Sequence, residues 1–174
     1  MLKHVTSLLT GLALLACISC TSNKNNAPQT LQPLEVAVPE RPAGQTDVIN
    51  LITEKLDTVR VGFIGLGMRG PGAVERFTHI PGTKIVALCD ILPERVENSQ
   101  KILENAGLPK AAAYSGSEDS WKQLCDRDDI DLVYIATDWK HHAEMGLYAM
   151  EHGKHAAIEV PAAMSLDEIW ALIN

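Results

Sequence analysis

Val59-Arg60-Val61-Gly62-Phe63-Ile64-Gly65-Leu66-Gly67-Met68-Arg69-Gly70 decides the fold. A run rich in β-branched residues stops at Gly65, and Gly65, Gly67 and Gly70 then keep G-x-G-x-x-G spacing ahead of Pro71 and an apolar-periodic segment. That order is a strand, a tight turn and a helix start. In such a turn the first glycine permits the reversal, the second lets backbone approach a pyrophosphate, and the third lets helix and strand pack closely. The helix N-terminus adds free N–H groups and partial positive charge. The next apolar run, Lys84-Ile85-Val86-Ala87-Leu88-Cys89, ends on Asp90. Its distance from the turn is close to the ~20 residues expected of the acid that binds an adenosine ribose.

Working outward, strands and helices alternate. Val74, Phe77 and Ile80 mark one face of a helix that ends near Pro81-Gly82, and Pro93 opens a second helix carrying Val96, Ile102 and Leu103 to Gly107. Ala111 to Tyr114 reads as a short strand, Ser117 to Cys125 as a helix with Trp121 and Leu124 inward. Leu132-Val133-Tyr134-Ile135-Ala136-Thr137 is a continuous apolar strand, as a sheet covered on both faces requires. A helix with Ala143, Leu147 and Met150 follows, then the strand His155-Ala156-Ala157-Ile158-Glu159 and Pro161. Ser165 to Asn174 reads as a further helix, which makes the chain look like the front of a longer protein. The alternation predicts an α/β, Rossmann-type doubly wound parallel sheet of five strands ordered 3-2-1-4-5, with right-handed crossovers. Cys89 and Cys125 fall in predicted strand and helix and read as buried thiols rather than a disulfide.

Residues 1–20 hold Lys3, an apolar run from Val5 to Ile18, and small residues before Cys20. The stretch is too short for an ordinary membrane span and fits an export signal. Ile18-Ser19-Cys20 resembles the lipobox of bacterial lipoproteins, which makes Cys20 the favoured lipidation site, with Cys17 as the competing acceptor. Residues 21–57 form a flexible linker, polar and marked by Pro28, Pro33, Pro39 and Pro42, within which 48–57 suggests a short amphipathic helix. Residues 58–174 are the dinucleotide-binding domain. With 15 basic and 22 acidic side chains the formal charge is -7, which carries no nucleic-acid footprint.

Several residues at the predicted strand ends carry chemistry. Asp90 can accept hydrogen bonds from both ribose hydroxyls, and its charge repels a 2′-phosphate, which selects NAD over NADP. Thr137-Asp138-Trp139-Lys140-His141-His142 follows the fourth strand, at the edge where doubly wound sheets bind ligands. Trp139 either covers the dinucleotide or serves as local core; His142 either donates to the dinucleotide or caps the helix. His141 and His142 are adjacent and point to different faces of a helix, so no shared metal is expected. Glu159-Val160-Pro161 closes the fifth strand at the same edge, where a carboxylate is costly unless it is paired or faces a cleft.

Together the glycine turn, Asp90, the polar turn after the fourth strand and the Glu-x-Pro resemble the glucose–fructose oxidoreductase and inositol dehydrogenase superfamily. Ordinary dehydrogenases of that superfamily have Glu-Lys-Pro, whose lysine assists proton transfer; this chain has Val160. The combination Gly65-Leu66-Gly67-Met68-Arg69-Gly70, Trp139-x-x-His142 and Glu159-Val160-Pro161 is similar to glycoside hydrolase family 109, the NAD-dependent α-N-acetylgalactosaminidases. The resemblance implies NAD contacts at Gly65, Gly67, Met68, Arg69, Gly70, Asp90, Trp139, Lys140, His141, His142, Glu159 and Val160. It also implies transient oxidation of the sugar at C3, elimination, water addition and return of the hydride. Catalytic and sugar-binding residues are then expected after Asn174, in a C-terminal α+β substrate domain, and the chain alone is expected to be inactive. The implied setting is export to the bacterial periplasm or cell envelope. The implied partners are an N-acetylgalactosamine-bearing glycan and the membrane through the lipid anchor; a homo-oligomer is compatible with these, and no nucleic acid is expected. A sugar dehydrogenase of the same superfamily, or a cofactor-binding module without activity of its own, are the competing readings.

Overall fold

A computed structural model describes residues 33, 35–41 and 43–174. The export signal, Cys17 and Cys20 lie outside the described residues. Residues 38–174 form one unit, and its first regular strand is β1 (Val59–Ile64). The chain continues through α1 (Gly70–Thr78), β2 (Thr83–Cys89), α2 (Pro93–Asn105), β3 (Ala112–Tyr114) and α3 (Ser120–Cys125). It ends with β4 (Leu132–Ile135), α4 (Trp139–Glu151), β5 (His155–Ile158) and α5 (Leu166–Ile173). The five strands are all parallel in the order β3-β2-β1-β4-β5. This is the doubly wound arrangement expected from the alternation, with the order reversing between β1 and β4.

The period-2 geometry of the strands sorts the core into two layers. Val61 and Phe63 of β1 and Leu88 of β2 pack with Ala73, Val74, Val96 and Leu103 of α1 and α2. Ile64, Ala87, Cys89, Val133 and Ile135 face the other way, onto Trp121, Leu124, Met145 and Ala149 of α3 and α4. Apolar area removed from water on both faces supplies the main driving force for folding. Gly62 sits at a register shift between β1 and β2, and a Cβ there would come within 2.8 Å of Leu124 Cδ2 and 2.9 Å of Ile130 Cδ1. The missing side chain lets α3 close onto the central strand. Gly146 does the same for α4 against β5, since a Cβ would overlap Ile158 Cδ1.

At the N-terminal edge of the sheet, Arg60 and Asp131 form a forked pair, with Arg60 Nε donating to Asp131 Oδ2 at 2.9 Å. The Arg60 backbone N–H donates to the same oxygen at 2.8 Å. Hydrogen bonding from Arg60 first, and its charge as well, holds the Asp131 carboxyl below its usual range. α5 opens on a capping box: Ser165 Oγ accepts from the Glu168 N–H at 3.1 Å, and Glu168 Oε2 accepts from the Ser165 N–H at 3.0 Å.

One expected element is absent. Residues 48–57 do not form an amphipathic helix: a single 3-10 turn, Val48–Asn50, gives way to extended chain at Leu51. The segment is crowded with β-branched residues, and Ile49, Leu51 and Ile52 are exposed. A helix of that length without a packed face does not offset its nucleation cost. Element ends also differ slightly: α1 stops at Thr78 before reaching Pro81, and α3 starts at Ser120 after a turn at 117–119.

Candidate cofactor site

The carboxyl ends of the strands open onto a cleft of about 710 Å³, within the range of small-molecule sites. The glycine turn forms its floor. Gly65 has φ +89°, a conformation L side chains rarely adopt, and a Cβ there would meet the Ala136 carbonyl at 2.6 Å. A Cβ at Gly70 would run into the Gly65 carbonyl oxygen. These two glycines are therefore required by the turn and by the approach of β4. Gly67 differs, since its Cβ position faces only the flexible end of Arg95, 3.2 Å from Nη1. The space above it admits a group approaching the backbone. At the start of α1 no described side chain caps the helix, and Pro71 removes one of the N–H groups that would need an acceptor. The remaining first-turn amides suit an anion. Turn, space and helix end together fit a pyrophosphate, so the residues present fit a dinucleotide.

Asp90 borders the cleft but is only 5% exposed. Its Oδ2 accepts from the Leu66 N–H at 2.7 Å and its Oδ1 from the Leu92 N–H at 3.0 Å. Arg95 Nη1 stands 3.5 Å from Oδ1. The acid expected to read the ribose is thus also the anchor of the glycine turn, tying its middle to the end of β2. Arg95, Ser117, Glu118 and Trp121 complete this side of the cleft. Arg95 belongs to no motif, although its place in the first turn of the helix after Asp90 is a usable signal.

On the β4–β5 side lie Thr137, Asp138, Trp139, His141, His142, Glu159 and Val160. Trp139 is 60% exposed at the rim, which excludes the local-core role for its ring. Val160 is also exposed at the rim, as is Met68 of the glycine turn. Asp138, and not His142, caps α4: its Oδ1 accepts from the Lys140 N–H at 3.1 Å, and its Oδ2 lies 2.6 Å from His141 Nδ1. That contact with His141 is the main reason the Asp138 carboxyl is held below its usual range. Lys140 is exposed and does not border the cleft, so its side chain is not brought together with the rest. His142 is fully buried, with Nδ1 2.8 Å from the Pro161 carbonyl oxygen and Nε2 3.2 Å from that of Thr137. Its ring nitrogens face the carbonyls of two loops, one after each strand, and the Val160–Pro161 peptide in the loop after β5 is cis. Among the described residues no cluster of three or more potential metal ligands gathers.

The Tyr134 hydroxyl donates to Glu159 Oε1 at 2.6 Å. Burial first, then Glu159, raise this phenol above its usual range, while the charge of Arg76 acts the other way. Cys89 and Cys125 are free, and burial pushes both thiols up to about 12. A thiol so strongly protonated is a core residue and not a nucleophile.

Residues 59–174 match the family model described as the oxidoreductase family, NAD-binding Rossmann fold. The chain belongs to that family. Over 176 residues it is 72% identical to Glycosyl hydrolase family 109 protein 1 of Phocaeicola vulgatus, covering 100% of this chain and 37% of that protein. A Glycosyl hydrolase family 109 protein of Porphyromonas gingivalis is 67% identical over 99% of this chain and 36% of its own length. The chain thus spans a little over a third of these relatives. Among solved structures, myo-inositol dehydrogenase from Lactobacillus casei, in complex with NAD(H) and myo-inositol, superposes with a TM-score of 0.55 at 28% identity. The match covers 64% of this chain and 31% of that one. A 3-ketoreductase from Actinomadura kijaniata, solved with NADP, gives 0.53 at 26% identity over 66% and 34%. As a member of this oxidoreductase family, the chain carries an NAD-binding Rossmann domain over residues 59–174.

Proposed function

We propose that this chain is the cofactor-binding part of an exported glycosidase that removes terminal α-N-acetylgalactosamine and returns its NAD unchanged after each turnover. The observation that carries this is 72% identity, over the whole chain, to a protein named for glycoside hydrolase family 109. Val160 supports it. Where dehydrogenases of the superfamily place a proton-carrying lysine, this cleft presents an exposed aliphatic side chain.

When bound, the dinucleotide supplies a hydride acceptor at the sugar's C3. What this chain's residues do is hold it. The Gly65–Gly70 turn and the start of α1 take the pyrophosphate, and Asp90 holds the turn while facing the ribose. Trp139 and Glu159 border the half of the cleft beyond β4 and β5. General acid and base groups for the sugar must come within about 3 Å of the reacting atoms. In this cleft His142 is buried beside the Thr137 and Pro161 carbonyls and Glu159 is bound by Tyr134, and the matched relatives are nearly three times as long as this chain, so we place those groups after Asn174. We further propose lipidation at Cys20, localisation in the periplasm or cell envelope, and a glycan bearing N-acetylgalactosamine as the partner; no nucleic acid is bound.

The test is p-nitrophenol release from an aryl α-N-acetylgalactosaminide by the intact protein, with the absorbance of reduced nicotinamide followed in parallel. Release without NADH accumulation is expected. Stoichiometric NADH would make the protein a sugar dehydrogenase instead.

A further inference from the structure

Tyr134 occupies a position that packing alone would give to phenylalanine. Its ring lies among Phe63 and Phe77, with centroids 5.3 and 5.7 Å away. A hydroxyl placed in such surroundings is costly unless it finds a partner. Its partner here is Glu159, whose backbone is already fixed by donation of its N–H to the Ile135 carbonyl at 2.9 Å. Glu159 is therefore held at both ends, its backbone by the strand ladder and its carboxylate by a phenol that the aromatic cluster prevents from turning.

The direction in which a dinucleotide lies follows from the fold. Its adenosine half belongs over β2, beside Asp90, so its nicotinamide half extends past β4 and β5. Glu159 borders the cleft on that side. The nicotinamide ring is cationic when oxidised and neutral when reduced, and a fixed negative charge discriminates between the two.

We propose that Tyr134 is a positioning residue that aims the Glu159 carboxylate so that the cleft binds the oxidised dinucleotide more tightly than the reduced one. The proposal depends on the cleft holding NAD and not on which sugar is attacked. It stands or falls separately from the glycosidase assay. Its chemical sense is that a cofactor which must end each cycle oxidised rests in a site that favours that state.

The experiment measures dissociation constants for NAD⁺ and NADH on the intact protein, freed of cofactor, by calorimetry and by nicotinamide fluorescence. Thermal unfolding run alongside reports on the fold. Glu159→Gln keeps the size and an acceptor for the hydroxyl while removing the charge, and should cut the preference for NAD⁺ about tenfold. Tyr134→Phe should cut it about threefold in the parent protein and not at all in the Glu159→Gln background. Glu159→Asp retains the charge on an arm too short for the hydroxyl and should behave like Tyr134→Phe, which covers the case where that variant folds poorly. An unchanged preference in Glu159→Gln overturns the proposal. So does a Tyr134→Phe effect of the same size with and without the charge.

Discussion

Replacing Asp90 with alanine tests what the acid at the end of β2 does. Two backbone N–H groups lose their acceptor, Leu66 at 2.7 Å and Leu92 at 3.0 Å. Hydrogen bonds to a charged group contribute roughly 1.5–3 kcal/mol each. The Leu66 group is buried within the turn and no water replaces the carboxylate there, so its full value is lost. The Leu92 group is close to solvent and recovers most of its share from water. The expected destabilisation is about 3 kcal/mol, a large part of the roughly 5–15 kcal/mol that holds a domain together. Asp90→Asn keeps one acceptor and turns an NH₂ toward the other donor, for a loss of about 2 kcal/mol. Urea unfolding gives these values, and calorimetry with NAD and NADP gives the binding. Because the turn that cradles the pyrophosphate loses its anchor, both dinucleotides should bind more weakly in Asp90→Ala. If the acid acted only by repelling a 2′-phosphate, stability would be unchanged and NADP would bind better. That pair of results would refute the anchoring role.

Gly70→Ala places a Cβ against the Gly65 carbonyl oxygen, which should cost about 3 kcal/mol and abolish NAD binding, read by thermal unfolding and calorimetry. Asp131→Asn tests the pair with Arg60. The folded Asp131 carboxyl is held below its usual range, so its stabilisation is full above the unfolded value of about 3.9 and is lost as pH falls through the lower folded value. The variant should therefore be less stable at neutral pH and show a flatter loss of stability below about pH 4, followed by unfolding at a series of pH values. Ser99→Ala removes a buried hydroxyl that has no hydrogen-bond partner among the described residues. It should raise stability by about 1 kcal/mol in urea unfolding.

The strand order and the turn were legible because both rest on local pattern. Continuous apolar runs mark strands covered on two faces, and Gly65 and Gly70 are required by backbone geometry that no other residue meets. The site was legible as a set of strand ends, which topology brings to one edge. What each side chain does there was less accessible. Whether Asp90 faces a ribose, a backbone amide or both depends on how the turn folds back over β2. The assignment of the α4 cap to Asp138, and of His142 to two carbonyls, depends on where the loop after β5 runs. The link between Tyr134 and Glu159 joins residues far apart in sequence, and nothing in the local pattern distinguishes Tyr134 from a core aromatic. The segment 48–57 failed for the opposite reason. Its apolar spacing suits a helix, but Ile49, Leu51 and Ile52 stay exposed, and periodicity has no consequence where the face is not buried.

His142 gives the far wall of the cleft a mechanical property. The His142 imidazole, in the same first turn of α4 as Trp139, reaches across to the loop that carries Val160, with Nδ1 2.8 Å from the Pro161 carbonyl oxygen. That loop cannot swing away from α4 without stretching this contact, so the tryptophan and the valine share one stiffness and report on each other's displacement. A molecule pressing on either side of the opening meets the resistance of both.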